Sequence, residues 1–220
     1  MNSFSLLFLI GLHFLTQVEC NTGIALNQQN LNQYASYPLV NYLDLSGKNI
    51  ISIEANTFTG LTNVQILDLS HNALTSLNDS FIFNGLTNLQ QLFLGFNQLS
   101  SLNSSIFKSL INLQNLQFTS NRLSSLSPLI FSSQTKVTQL GLNSNLLATL
   151  DPTIFSSLTS LQYLWLQSNQ IQSLNPNIFS QLHNLIQVYL GANPWISISS
   201  ARALCTTTAN PKCKIIFSTS

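Results

Sequence analysis

Apolar residues recur along this chain with a period of 24 positions. Six consecutive segments carry apolar residues at positions 1, 4, 6, 11 and 14, and a seventh begins at Leu185. The six start at Val40, Val64, Leu89, Leu113, Val137 and Leu161. The second holds one extra residue, between Leu77 and Phe83. Such a repeat predicts a solenoid of stacked units, because one unit cannot bury its apolar face alone.

Asparagine and phenylalanine recur with the same period. Position 19 is phenylalanine in five segments, and position 9 is asparagine everywhere except at Lys48. The asparagines are Asn72, Asn97, Asn121, Asn145, Asn169 and Asn193. Because an amide both donates and accepts hydrogen bonds, we expect them to pair with backbone groups of adjacent coils that would otherwise be buried unpaired. The phenylalanines are expected to fill the outer half of each coil.

These residues resemble the leucine-rich repeat, and more narrowly the 24-residue extracellular type of Toll-like receptor ectodomains, Slit and the variable lymphocyte receptors. The resemblance covers Val40 to about Trp195. It implies an α/β repeat solenoid, a horseshoe with a parallel β-sheet on its concave face and an irregular or 3-10 convex side. Alternate residues of a strand point to opposite faces, so positions 4 and 6 should point inward and positions 3, 5 and 7 to solvent.

The N-terminal segment predicts export. An apolar run from Phe4 to Leu15, followed by Val18 and Cys20, indicates a signal peptide over residues 1–20. The alternative is an uncleaved anchor, but this run of 12 residues is shorter than the roughly 20 that cross a bilayer. The ending KIIFSTS resembles neither a membrane segment nor a lipid-anchor tail. The sequence thus predicts a secreted, extracellular product with no membrane insertion.

The two ends of a solenoid need caps, because each would otherwise expose an apolar face. We expect an N-terminal cap without cysteines over residues 21–39, six full repeats and the strand of a seventh over 40–193, and a reduced C-terminal cap over 194–220. Relatives usually carry cysteine-rich caps. Cys205 and Cys213, eight positions apart, predict one disulfide in an oxidising compartment. Metal ligation there lacks a neighbouring His or Cys.

Two positions depart from simple leucine repeats. Gln134 occupies position 22, where five other segments have leucine. A buried amide without partners costs on the order of 1 to 3 kcal/mol, so either Gln134 turns outward or the fourth coil is locally loose. Pro128, Pro152 and Pro176 share position 16, on the convex connection, where a missing N–H does little harm.

Composition argues against charge-driven partners and against catalysis. Charged residues make up only 6% of the chain, the net charge is +1, and Lys and Arg form no cluster, which disfavours nucleic acid and anionic membranes as partners. Asp68, Ser70 and His71 are close in sequence, but an open sheet supplies no enclosed pocket or oxyanion donors for hydrolysis. No phosphate loop, paired carboxylates or metal-ligand spacing appears. We therefore predict no enzyme, cofactor or metal site.

The outward strand positions carry the candidate binding residues. Position 5 reads Asp44, Asp68, Phe93, Gln117, Gly141, Trp165 and Tyr189, and position 3 reads Tyr42, Ile66, Gln91, Asn115, Gln139, Tyr163 and Gln187. Tyr163, Trp165 and Tyr189 should be neighbours, because adjacent strands lie about 4.8 Å apart. Exposed aromatic clusters are typical binding hot spots. The alternative is that the rings cover one another or pack beneath the C-terminal cap.

Secondary candidates lie around that cluster. Gln139 and Gln187 flank it at position 3, and Phe93 and Phe96 form a weaker second aromatic group in the third repeat. Two sequons, at Asn78 and Asn103, share position 15 of adjacent repeats and predict N-glycosylation. Chance occurrence in an Asn- and Ser-rich chain is the alternative reading of the sequons.

The sequence and the resemblance together predict a secreted binding protein that engages an extracellular protein or glycan on its concave sheet. The family resemblance implies a receptor-like, adhesion or host-defence role. With so few charges, binding should depend only weakly on salt. Two alternatives remain: a structural matrix component that acts by self-association, for instance as a homodimer, and a soluble fragment of a membrane receptor.

Overall fold

The computed structural model describes residues 23–33, 41–194, 204–205 and 212–217. The predicted signal peptide and most of the predicted C-terminal cap lie outside these residues.

Twelve short strands and a short helix make up most of the regular structure of the described residues, and Leu204 and Cys205 are also helical. The strands are β1 (Ile24–Leu26), β2 (Tyr42–Asp44), β3 (Ile50–Ile53), β4 (Ile66–Asp68), β5 (Ser76–Leu77), β6 (Gln91–Phe93), β7 (Ser101–Leu102), β8 (Asn115–Gln117), β9 (Gln139–Gly141), β10 (Tyr163–Trp165), β11 (Gln187–Tyr189) and β12 (Lys214–Ile216), and the helix, α1, spans Gln28–Leu31.

The strands from positions 3 to 5 of successive repeats form one parallel sheet. Together with β12 these seven strands make a sheet of eight, in the order β12-β11-β10-β9-β8-β6-β4-β2. Each repeat strand pairs with its neighbour residue for residue, so that Leu140 lies between Leu116 and Leu164. The fixed register follows from the period, because a slip by one residue would turn every inward leucine to solvent. The predicted fold class is confirmed: the chain is a parallel β-solenoid with little helix.

The asparagines at position 9 join adjacent coils. The Asn145 side chain is 5% exposed, and its Nδ2 donates to the carbonyls of Phe118 (3.0 Å) in the preceding coil and Leu142 (3.1 Å) in its own. Its Oδ1 accepts from the backbone N–H of Leu123 at 3.1 Å. Equivalent contacts with the backbone of the preceding coil are made by Asn97, Asn121 and Asn169. Each amide thus satisfies backbone groups that the stacking of coils buries.

The phenylalanines at position 19 stack in a column, and the column is interrupted at the fourth coil. Ring centroids are 6.1 Å apart for Phe58 and Phe83, and 6.2 Å apart for Phe155 and Phe179. Phe107 stacks on Phe83 at 6.2 Å, and toward the fourth repeat it has a tilted contact with Phe118 at 5.7 Å. These rings fill the convex half of the core.

Gln134 corrects a prediction. Its side chain is buried, with 1% exposed, and its Nε2 donates to the carbonyl of Phe107 at 2.7 Å. The alternative in which Gln134 turns outward is wrong, and the donated hydrogen bond offsets the cost of burying the amide. The inward glutamine occupies the place of leucine and links the fourth coil to the third.

The N-terminal residues cover the first coil. β1 pairs with β3, away from the main sheet, and α1 follows it. Asn27 begins the helix, because its Oδ1 accepts from the backbone N–H groups of Gln29 and Asn30, both at 3.0 Å. Leu26 and Leu31 are buried, and both belong to the main apolar core. The first coil therefore has an apolar cover.

The C-terminal residues add a strand to the sheet that the repeat pattern does not predict. The predicted disulfide between Cys205 and Cys213 is formed, with their Cα atoms 5.5 Å apart. Directly after Cys213, β12 pairs in register with β11. Ile215 of β12 points inward and packs on the core, as a repeat leucine would. The sheet thus continues one strand beyond the seventh repeat.

Candidate binding surface

The open side of the main sheet, which we call the sheet face, consists of the outward side chains at positions 3, 5 and 7. The register aligns equal positions of adjacent strands in rows across the sheet. The charged side chains of the sheet face among the described residues are Asp44 and Asp68 near one end and Lys214 at the other. The face between them is built from amides, hydroxyls and aromatic rings.

Three aromatic rings of the sheet face stack in succession, and we call them the aromatic stack. Tyr163 and Trp165 have ring centroids 6.0 Å apart and planes 20° apart. Trp165 and Tyr189 are 5.8 Å apart at 11°. Each ring is half-buried. The predicted neighbourhood is therefore correct; the rings shield one another in part, yet each keeps a solvent-accessible portion.

The two predicted glutamines flank the stack. Gln139 and Gln187 lie on either side of Tyr163 in the row of position 3. The Tyr189 hydroxyl donates to Gln187 Oε1 at 2.7 Å, which fixes the orientation of both side chains. Because the Oε1 of Gln187 already accepts this bond, its amide N–H groups are the part of the side chain suited to a partner's acceptor.

The structure adds two residues that the sequence did not reveal. Ile216 lies beside Tyr189 in the row of position 5, and Lys214 lies beside Gln187 in the row of position 3. Ile216 is half-buried and extends the apolar patch, whereas Lys214 is exposed. No repeat signal could have found them, because β12 lies outside the 24-residue pattern and joins the sheet by pairing with β11.

Phe93 and Phe96 belong to a second feature, a recess of about 260 Å³ on the sheet face. We call it the Gly95 recess; its walls are Asp68 and His71 from the second repeat, Phe93 and Phe96 from the third, and Gln117 and Thr119 from the fourth. The His71 imidazole stacks on Phe96, with centroids 4.4 Å apart and planes 6° apart. Phe96 is 51% exposed.

Position 8 has a left-handed backbone in every repeat. The residues there are Gly47, His71, Phe96, Ser120, Ser144, Ser168 and Ala192, with φ between +53° and +62°. A left-handed conformation costs a residue with a side chain roughly 1–2 kcal/mol and is rarest for bulky ones. Five repeats have Gly, Ser or Ala at this position, so the fold itself does not require the two rings.

Local hydrogen bonds hold the carboxylate of Asp44, which lies in the edge strand β2 of the main sheet. Asp44 Oδ1 accepts from the Ser46 hydroxyl at 2.6 Å and from the Ser46 backbone N–H at 2.9 Å, and these bonds lower the pKa of Asp44. Desolvation raises the pKa of Tyr42, and the charges of Asp44 and Asp68 add to the shift. This end of the sheet face therefore carries negative charge at neutral pH.

The Asp68, Ser70 and His71 group has no relay geometry. Asp68 Oδ1 accepts from the backbone N–H of Ser70 at 2.8 Å, and the His71 ring packs on Phe96. Among the described residues, no three or more His, Cys, Asp or Glu side chains are grouped so that they could hold a metal ion. In the same part of the chain, no helix is long and apolar enough to cross a membrane.

The two sequons lie away from the sheet face. Asn78 directly follows β5 and Asn103 directly follows β7, and β5 and β7 pair in a separate two-stranded sheet. Asn78 is exposed, whereas Asn103 is half-buried and its Nδ2 donates to the carbonyl of Asn78 at 2.9 Å. A glycan on either asparagine would therefore be attached outside the sheet face.

Comparison with known proteins agrees with this architecture. The model of the family described as leucine rich repeat matches residues 38–99, 87–147 and 135–194, which together exceed half of the chain. The chain therefore belongs to the leucine-rich repeat family. A search of curated proteins found no match.

Solved structures of two Toll-like proteins are similar. One chain of the TLR13–ssRNA13 complex matches with a TM-score of 0.75 and 25% identity over 86% of this chain. One chain of the Drosophila Toll–Spatzle complex, in its glycosylated form, matches with a TM-score of 0.62 and 28% identity over 66% of this chain. The matched parts are only 26% and 19% of those chains, so this chain spans well under two thirds of their length.

Proposed function

We propose that this protein is a secreted recognition protein that holds an extracellular protein or glycan on its sheet face, in a receptor-like, adhesion or host-defence role. The observation that supports the proposal best is the aromatic stack, which Ile216 extends on the open sheet. Large, stiff aromatic side chains that lose water on contact supply most of the binding energy in many interfaces. Tyr163, Trp165 and Tyr189 would form the anchor, and Gln139 and Gln187 its polar border.

The charges of the sheet face favour a protein or glycan partner over nucleic acid. A nucleic-acid surface needs several Lys or Arg side chains to neutralise phosphates. The described sheet face offers Lys214 alone, and it carries two carboxylates at the opposite end. The single-stranded RNA in the TLR13 complex is a partner of that protein, whose matched portion is 26% of its own chain.

The salt dependence of binding tests the kind of partner. With a partner isolated by extracellular capture, we expect the affinity to fall less than about tenfold between roughly 50 mM and 200 mM NaCl, because apolar contacts and amide hydrogen bonds are weakly screened. Partners held by many phosphate contacts lose about 10³–10⁵ in affinity over this range. Surface plasmon resonance at several salt concentrations distinguishes the two cases. A loss as steep as the second would contradict the proposal.

Self-association is a second candidate, and one observation favours it. Asp44 and Asp68 lie near one end of the sheet face and Lys214 at the other, so two copies related by a two-fold axis would bring opposite charges together. Such a dimer would suit a structural matrix component. Sedimentation equilibrium of the purified protein, with and without Lys214→Glu, distinguishes a dimer held by these charges from a monomeric recognition protein. The remaining alternative is that the recognition module is a soluble fragment of a membrane receptor.

Both sequons are proposed to carry N-glycans. In protein secreted from eukaryotic cells, Asn78→Gln and Asn103→Gln should each remove the mass of one glycan, as measured by intact-mass spectrometry before and after enzymatic deglycosylation. Asn88→Gln is the matched control, because Asn88 is an exposed asparagine outside a sequon and its loss should leave the glycan mass unchanged. A wild-type mass that deglycosylation does not alter would show that neither site is used.

A further inference from the structure

The Gly95 recess exists because two glycines leave space on the sheet face. Gly95 occupies outward position 7 and places no side chain between the second and fourth repeats. Gly141 allows the neighbouring Gln117 to lie over it, since a Cβ at Gly141 would overlap Gln117 Oε1. Asn115 holds Gln117 there by accepting from its Nε2 at 2.6 Å. The space beside Phe93 is therefore open.

The walls of the recess combine aromatic rings with one carboxylate. Phe93 lies directly beside Asp68 in the row of position 5, and the Phe96 ring stands at the rim, stacked on His71. Asp68 Oδ1 accepts from Ser70, whereas Oδ2 has no hydrogen-bond partner among the described residues. No Lys or Arg lines the recess. Its size is below the roughly 300–1,000 Å³ of pockets for drug-sized ligands, which fits the insertion of one side chain.

We propose that the Gly95 recess receives a Lys or Arg side chain of a protein partner, with arginine preferred. The apolar stem would pack on Phe93 and Phe96, and the cation would pair with the open oxygen of Asp68. A guanidinium is flat enough to stack on a phenyl ring, and it presents paired N–H donors to a carboxylate. Asp44, one strand further along, adds charge of the same sign without lining the recess.

Two independent features support this assignment. Charge complementarity favours a cation, since the recess carries a carboxylate and no basic residue. Phe96 and His71 retain their rings in a left-handed backbone where five other repeats have Gly, Ser or Ala. Strain of this kind persists where surrounding contacts require it and is frequent at ligand sites. The inference builds on recognition by the sheet face but uses none of the residues of the aromatic stack.

The test uses two small probes of equal shape. N-acetyl-arginine methylamide carries the guanidinium, and N-acetyl-citrulline methylamide replaces it with a neutral urea group. Two-dimensional ¹H–¹⁵N NMR of the whole protein follows the Gly95 and Phe96 amides during titration. We expect saturable shifts with the arginine probe and roughly tenfold weaker binding of the citrulline probe, because a charge-assisted hydrogen bond is lost. Raising the salt concentration should weaken binding of the arginine probe but not of the citrulline probe.

Matched variants separate a specific site from a general electrostatic field. Asp68→Asn should lower the affinity for the arginine probe about tenfold and leave the affinity for the citrulline probe unchanged. Asp44→Asn removes an equal charge from the adjacent strand, outside the recess, and should have less than about a threefold effect. Trp165→Ala should leave probe binding unchanged. The proposal for the recess and the proposal for the aromatic stack can therefore be contradicted independently. Equal binding of both probes, equal effects of the two Asp variants, or no saturable shift would each overturn the proposal.

Discussion

Trp165→Ala is expected to weaken binding of the proposed extracellular partner by about thirtyfold or more, which corresponds to roughly 2 kcal/mol, the usual threshold for a hot-spot residue. Trp165 is the central ring of the stack and contacts both Tyr163 and Tyr189. Its loss removes the largest apolar surface of the patch and also the support of the two tyrosine rings. Surface plasmon resonance with the captured partner measures the change.

Two controls make this result specific to the stack. Tyr42→Ala removes an aromatic ring that is 48% exposed, at position 3 of the opposite edge strand, and should change the affinity less than about threefold. Trp165→Phe keeps an aromatic ring between the tyrosines and should recover part of the affinity. Circular dichroism should show a folded protein for all three variants. If every captured partner binds Trp165→Ala as tightly as the wild type, the stack is not the anchor.

Asn145→Ala is expected to lower the free energy of unfolding by about 3–5 kcal/mol, the largest effect on stability predicted for this chain. The change deletes donors to the Phe118 and Leu142 carbonyls and the acceptor of the Leu123 N–H. These backbone groups lie inside the stack of coils, where water cannot replace the lost partner. Urea unfolding followed by circular dichroism gives the difference.

Asn184→Ala is the matched control for that experiment. Asn184 also joins adjacent repeats, since its Nδ2 donates to the carbonyl of Thr159 at 2.8 Å, but its side chain is exposed. Water can replace this hydrogen bond, so the expected cost is about 1 kcal/mol or less. Equal losses of stability in the two variants would show that burial of the position-9 amides has no special importance.

The sequence was most informative where side-chain direction depends only on periodicity. The alternation of a strand predicts Leu164 inward and Trp165 outward, and the register of β10 with β9 and β11 agrees with it. The period also placed Asn145 in the interior, because a polar residue repeated at one buried position needs partners in adjacent coils. These inferences require no knowledge of distant contacts.

Other features depended on contacts between coils or beyond the repeats. For Gln134 the sequence leaves open whether the side chain turns outward or stays inside a loose coil, and the Phe107 carbonyl within reach of its amide keeps it inside. Lys214 and Ile216 join the sheet face although their segment has no repeat pattern. The stacking of His71 on Phe96 follows from the left-handed backbone at position 8, which the sequence could not reveal.

By itself, then, the sequence determined the solenoid, the direction of each repeated side chain and the aromatic cluster, because all three follow from a local period. Tertiary structure alone decided the additional strand, the buried glutamine and the Gly95 recess. The physical reason is that these depend on which groups from different coils come within hydrogen-bonding or van der Waals distance. A single period describes each coil, whereas a binding surface arises from the differences between neighbouring coils.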